Sequence, residues 1–151
     1  MKRSILGFSL VELTLALGVA AFCFLAVFGL LPVGLKTQQL AIEQTVTTQI
    51  VSAVIADLRN SHGAATSSSL FGISIPGNSS SSSSTIFFDS QGRFSTALDA
   101  NSRYRLTITF TPNSAGVRGA TLAHLRVTWP APANATNAGG SNETFVALDR
   151  N

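Results

Sequence analysis

The apolar run that begins at Leu13 constrains this chain more than any other feature. It continues to Leu31 without a charge, and Glu12 is the one charged residue between the basic pair Lys2 and Arg3 and the next cation, Lys36. About 19 residues at roughly 1.5 Å each span about 28 Å as a helix, close to the hydrocarbon thickness of a bilayer. The segment can therefore cross a membrane. An ordinary secretory signal has a shorter apolar stretch followed by a small-x-small cleavage site, and neither property fits here. Lys2 and Arg3 favour a cytoplasmic N-terminus, which sends the C-terminal part to the other side. Glu12 is the anomaly. A carboxylate inside such a segment costs roughly 2.5–3.5 kcal/mol on insertion scales, so it demands a partner, and an amino terminus newly made just upstream is the obvious one. The plainer alternative is an acid that snorkels to the interface of a simple anchor.

With 151 residues, the chain has room beyond that helix for one small domain of about a hundred residues. The formal charge of +3 overstates its basicity. If a leader ending at Gly7 is lost, Lys2 and Arg3 leave with it, and eight of the 10 basic residues face 7 acidic ones. A near-neutral chain without clustered Lys and Arg gives no reason to expect nucleic acid as a partner. Cys23 is the lone cysteine. It cannot close an internal disulfide, and Phe22 before it argues against a lipidation site, so it reads as a small packed hydrophobe.

Along the helix, Pro32 offers no N–H to the carbonyl of Phe28, and Gly29 and Gly34 flank it with poor helix formers. A kink or local melting is expected there, or else a helix that ends at the membrane surface. From Lys36 to Asn60 the pattern turns amphipathic. Val46, Ile50, Val51, Val54, Ile55 and Leu58 share one half of the wheel, and Thr48, Gln49, Ser52, Asp57, Arg59 and Asn60 the other. One face of this outer segment needs a sheet to cover it. Ser61-His62-Gly63 supplies a stop, with glycine available for a left-handed cap.

The next stretch, 62–85, is rich in Ser and Gly and reads as a flexible loop, interrupted by an apolar patch at Leu70, Phe71, Ile73 and Ile75. Beyond it the period becomes two. Thr85–Asp89 precedes a turn signal at Ser90–Arg93. Arg103–Thr111 alternates Tyr104, Leu106, Ile108 and Phe110 against arginine and threonines, and Thr121–Trp129 alternates Ala123, Leu125, Val127 and Trp129 against His124, Arg126 and Thr128. These two predict a hairpin closed by Pro112–Gly116. Thr144–Leu148 suggests a short last strand. The fold class expected is α+β, a long N-terminal helix on a small antiparallel sheet of three or four strands.

Groups able to do chemistry are sparse. His62 and His124 have no Cys or carboxylate at a metal-ligand spacing, and no phosphate loop or nucleophile elbow is present. Asp89, Asp99, Glu143 and Asp149 do not form a dense oxygen-ligand loop for calcium and read as turn acids. No cofactor and no metal is expected. Asn78, Asn134 and Asn142 fit glycosylation sequons, which says only that their loops are exposed.

Gly7-Phe8-Ser9-Leu10-Val11-Glu12 resembles the cleavage and methylation site of type IV pilins and pseudopilins. The stretches Leu15–Phe22 and Phe28–Leu35 are further similar to the Verru_Chthon cassette protein B group of pseudopilin-like proteins. The resemblance covers about the first 60 residues. It implies a basic leader, 1–7, cut after Gly7 by a prepilin peptidase on the cytoplasmic face, and Phe8 as the N-methylated first residue of the mature chain. It implies Glu12 as the assembly acid, paired with the Phe8 amino group of its own helix or of a neighbouring subunit. The expected layout is a pilin-like one, with a transmembrane and assembly helix at 8–35, an amphipathic helix at 36–61, the 62–85 loop and a β domain at 86–151. The implied function is that of a structural subunit of a type II secretion-like or type IV pilus-like filament. Its partners would be the peptidase/methyltransferase, other pilin-like subunits, an inner-membrane assembly platform and lipid. A membrane-anchored binding module, such as a filament-tip adhesin or DNA-uptake pilin, is the alternative. An anchored enzyme is disfavoured for want of a site.

Overall fold

The computed structural model describes residues 7, 9–61, 65–77, 80–111 and 120–149. Phe8, His62, Gly63, Asn78 and the expected turn Pro112–Gly116 lie outside the described residues. One helix, α1 (Leu10–Asn60), precedes five strands: β1 (Ser82–Phe88), β2 (Phe94–Ser95), β3 (Tyr104–Thr111), β4 (Thr121–Trp129) and β5 (Gly140–Leu148). The chain divides into two compact units, Met1–Ile42 and Glu43–Asn151.

Within the first unit, every described side chain from Ser9 to Ile42 is exposed, on all sides of the helix. Leu10, Phe22, Leu25 and Leu30 each keep 70% or more of their surface uncovered. Burying one such side chain is worth about 1.5–3 kcal/mol, so a helix apolar all round is built for an apolar surrounding rather than for water. By length and composition it can cross a membrane. Pro32 lies inside α1, and Gly29 to Gly34 keep helical backbone. The melting expected at Gly29, Pro32 and Gly34 is therefore not seen. One lost donor removes a single rung, and the good helix formers on either side keep theirs.

In the second unit the outer part of α1 obeys the amphipathic rule. Thr47, Ile50, Val51, Val54 and Leu58 are buried, and the four apolar ones join Ile86, Phe88, Leu106, Ile108, Phe110, Leu125, Val127, Val146 and Leu148 in one core. The sheet has the order β2-β1-β3-β4-β5 and is antiparallel throughout. Strand alternation decides which side chains reach the core. In β3, Tyr104, Leu106, Ile108 and Phe110 are buried, while the residues between them are not.

The sheet has five strands instead of three or four: β2 is the added one, and β1 and β5 also begin earlier than expected. β2 is only two residues long, too short to carry a period. It is returned to β1 by a turn in which Asp89 Oδ1 accepts the amides of Gln91 at 2.8 Å and Arg93 at 2.9 Å, with Gly92 at φ 81°. β1 reaches back into the serine run expected to be loop. Ser82, Ser83 and Ser84 pair with Phe110, Thr109 and Ile108, so the neighbouring strand orders a segment whose own side chains specify little. β5 likewise extends back to Gly140, opposite Trp129.

That last pairing is a close one. A Cβ on Gly140 would stand 2.2 Å from Trp129 Cζ2 and 2.4 Å from Cε2. Trp129 also meets Tyr104 edge-to-face at 6.3 Å. Gly140→Ala should displace the indole and cost about 1–3 kcal/mol, the range for overpacking. Denaturant unfolding followed by the fluorescence of this single tryptophan measures both effects; an unshifted spectrum and midpoint would contradict the contact.

Candidate functional site

The base of α1 carries the motif residues. Gly7 and Ser9 precede the helix, Ser9 O accepts the amide of Leu13 at 3.1 Å, and Glu12 stands exposed in the first turn. Its position there is favoured by the helix dipole. Among the described residues Glu12 has neither a hydrogen-bond nor an ion-pair partner. Phe8, the residue to which cleavage and methylation were assigned, lies outside them. A Cβ on Gly7 would meet nothing within 4 Å, and the same holds at Gly18, Gly29 and Gly34. The chain's own packing thus gives no steric reason for these glycines. One helical face beside Glu12, formed by Val11, Thr14, Leu15, Gly18, Val19 and Phe22, leaves a shallow apolar hollow. Cys23 is exposed and unpaired in the same segment.

A second carboxylate on this helix behaves in the opposite way. Asp57, assigned by the wheel to the polar half, is buried at 5% exposure. Its Oδ1 accepts the hydroxyl of Ser69 at 3.1 Å and the amide of Leu70 at 3.0 Å, and its Oδ2 accepts the amide of Phe71 at 3.1 Å. Burial pushes its pKa up, but these bonds, with a contribution from the Ser68 hydroxyl, outweigh it and hold the acid below the ordinary carboxylate value. Asp57 thereby fixes the segment after the helix. Phe71, Ile73 and Ile75 enter the core while Leu70 stays out, and Ser67 bridges Ser74. The signal available in the sequence was weak: an acid one residue before Leu58, facing a loop of small donors.

The other charged groups also have assigned places. Glu43 and Arg103 form an ion pair joining the outer helix to the start of β3. Beside them, burial raises the Tyr104 pKa, the Glu43 charge adds to that, and Arg103 opposes it. Asp99 caps its own turn, accepting Asn101 N at 2.8 Å and the Ser102 hydroxyl at 3.0 Å. Glu143 sits 2.9 Å from Arg126 Nε and 3.3 Å from His124 Nε2. Among the described residues no three His, Cys, Asp or Glu side chains gather as metal ligands. Of two hollows in the second unit, one of about 220 Å³ has an apolar floor of Val46, Ile50, Phe71 and Phe88. The other, of about 350 Å³, lies between Leu58, Arg59, Ile75 and Leu148. Neither contains a histidine or a cysteine.

Comparison with protein-family models, with curated proteins and with solved structures finds no match to this chain.

The Asp57 clasp has a definite pH signature. Because its pKa is depressed by folding, it contributes stability above the unfolded value of 3.8 that is lost as pH falls through the lower folded value. Asp57→Asn replaces one acceptor oxygen by a donor facing an N–H and should lower stability at pH 7 by about 1.5–3 kcal/mol. It should also flatten the acid limb of the stability curve. Denaturation of the full chain in detergent between pH 2 and 7 reads both; an unchanged acid limb would remove Asp57 as its source.

Proposed function

We propose that this chain is a pilin-like structural subunit, a pseudopilin or minor pilin of a type II secretion-like or type IV pilus-like filament. The observation that carries this reading is a conjunction. The sequence Gly7-Phe8-Ser9-Leu10-Val11-Glu12 stands at the foot of a helix that carries no charge from Leu13 to Leu35, and a separate unit with its own core follows. The resemblance of that motif to a prepilin processing site supplies the chemistry. A peptidase on the cytoplasmic face cuts after Gly7, and a methyl group on the freed Phe8 nitrogen leaves it cationic at neutral pH. Glu12 is the acceptor for that cation.

The helix resides in a bacterial inner membrane as a single pass, with the β domain in the periplasm, until it is drawn among the helices of neighbouring subunits. Within the membrane the carboxylate is costly unless paired, so an incoming subunit whose amino terminus reaches Glu12 is favoured over one out of register. Head-to-tail addition of this kind generates an open helical filament. The glycines of α1 fit the same picture. Each costs about 0.8–1 kcal/mol relative to alanine within a helix, and close approach of another helix is where such a loss is recovered. Partners on this reading are the peptidase/methyltransferase, other pilin-like subunits, the assembly platform and lipid.

Mass spectrometry of the protein from a host with its prepilin peptidase should find residues 1–7 absent and one added methyl on Phe8; an intact Met1 would refute processing. Glu12→Ala should still enter the membrane fraction but co-assemble with other subunits roughly tenfold less, the loss expected when a pairing of about 1.4 kcal/mol disappears. Incorporation of that variant at the normal level would remove Glu12 from the assembly step.

A further inference from the structure

The sheet has two open edges, one on each side. β5 pairs with β4 alone. On the opposite side β2 meets β1 only at Phe87 and Phe88, so the Ser82–Ile86 part of β1 pairs with β3 on one side and, among the described residues, with no strand on the other. Neither edge carries a usual guard against pairing. Both lack proline and lysine, and their one charge, Glu143, is already held by Arg126 Nε at 2.9 Å. The printed pairings also define a row across the sheet: Ser83 stands opposite Thr109, Thr109 opposite His124, and His124 opposite Phe145. Phe145 ends that row with 70% of its surface uncovered.

We infer that the two edges are complementary, and that the free edge of β5 takes the Ser82–Ile86 edge of a second copy of this chain. The direction of the strands makes this pairing possible. β1, β3, β4 and β5 alternate, so β1 and β5 run opposite ways, and the β1 of a copy shifted along the sheet meets β5 antiparallel, as every pair within the sheet does. Continuing the row places Ser83 of the second copy opposite Phe145, its Thr85 opposite Glu143 and its Ser84 opposite Thr144. Core-side residues then share one side of the joined sheet and outward residues the other, an arrangement that a slip of one residue destroys. No like charges meet at the seam, because the Ser82–Ile86 segment has none. Two copies joined through β5 alone would leave each Ser82–Ile86 edge open, whereas this pairing uses both edges of the chain. Repeated, it is a head-to-tail contact that extends without closing, turned at each step by the twist of the sheet. It is a property of the sheet and does not rest on pairing at Glu12.

Oxidative cross-linking of the full-length chain in detergent tests this, with Cys23→Ser as the background. One preparation carries Ser83→Cys and a second, distinguished by a size tag, carries Phe145→Cys. Within one chain these positions are three strand spacings apart, about 14 Å, and a disulfide needs Cα atoms within about 7 Å, so the pair reports only contacts between copies. In the mixture the mixed disulfide should form faster than either like pair. Dominance of the Phe145→Cys like pair would mean that two β5 edges meet, and overturns the proposal. Equal yields of all three products, as random collision gives, or no cross-link at all, overturn it as well. Should Phe145→Cys fail to fold, Thr85→Cys mixed with Glu143→Cys reads the adjacent row by the same criterion. Glu12→Ala should leave the cross-link unchanged, which separates this contact from the assembly step at the foot of α1.

Discussion

The exposed apolar surface of α1 up to Ile42 governs everything else. A domain of this size is stable by about 5–15 kcal/mol, and each large apolar side chain left in water forgoes about 1.5–3 kcal/mol. A handful of the uncovered leucines and phenylalanines therefore outweighs the whole margin by which such a domain stays folded. No rearrangement of one face relieves this, since the apolar residues surround the helix. By length and composition this helix can cross a membrane, where those side chains would meet lipid instead of water.

From Glu43 onward the same helix follows a different rule. Its apolar residues contract to a stripe through Ile50, Val51, Val54 and Leu58, and a five-stranded antiparallel sheet covers it. An antiparallel sheet with one face on a helix leaves the other face to water, which explains the alternation of buried side chains with threonine and arginine in β3 and β4. The ion pair between Glu43 and Arg103 and the contact of Asn142 Nδ2 with Thr47 Oγ1 at 3.5 Å add polar links at the margin of that core.

Elements with their own period were legible in the sequence. The outer helix, the β3–β4 pair and the later part of β5 follow the spacing of their apolar residues. What could not be read is what a neighbour imposes. Ser82 to Ser84 form strand because Phe110, Thr109 and Ile108 offer them a register. Phe94 pairs with Phe88 because Asp89 builds the turn between them, and Gly140 enters β5 because only a residue without a side chain fits beneath Trp129. Asp57 was misassigned for the same reason. A helical wheel registers the angle of a side chain, and at Asp57 the decisive fact is that three donors of the following segment converge on it. At Pro32, where a kink or local melting was expected, the backbone stays helical on both sides.

Two carboxylates on one helix make the division of labour concrete. Asp57 is buried, accepts bonds from the chain that follows it and is held ionised by them. Its chemistry is complete within the molecule. Glu12, exposed in the first turn of the same helix, has no hydrogen-bond or ion-pair partner among the described residues. The domain is then the part of the molecule that folds to satisfy itself, whereas at the foot of α1 Glu12 has no such partner among the described residues.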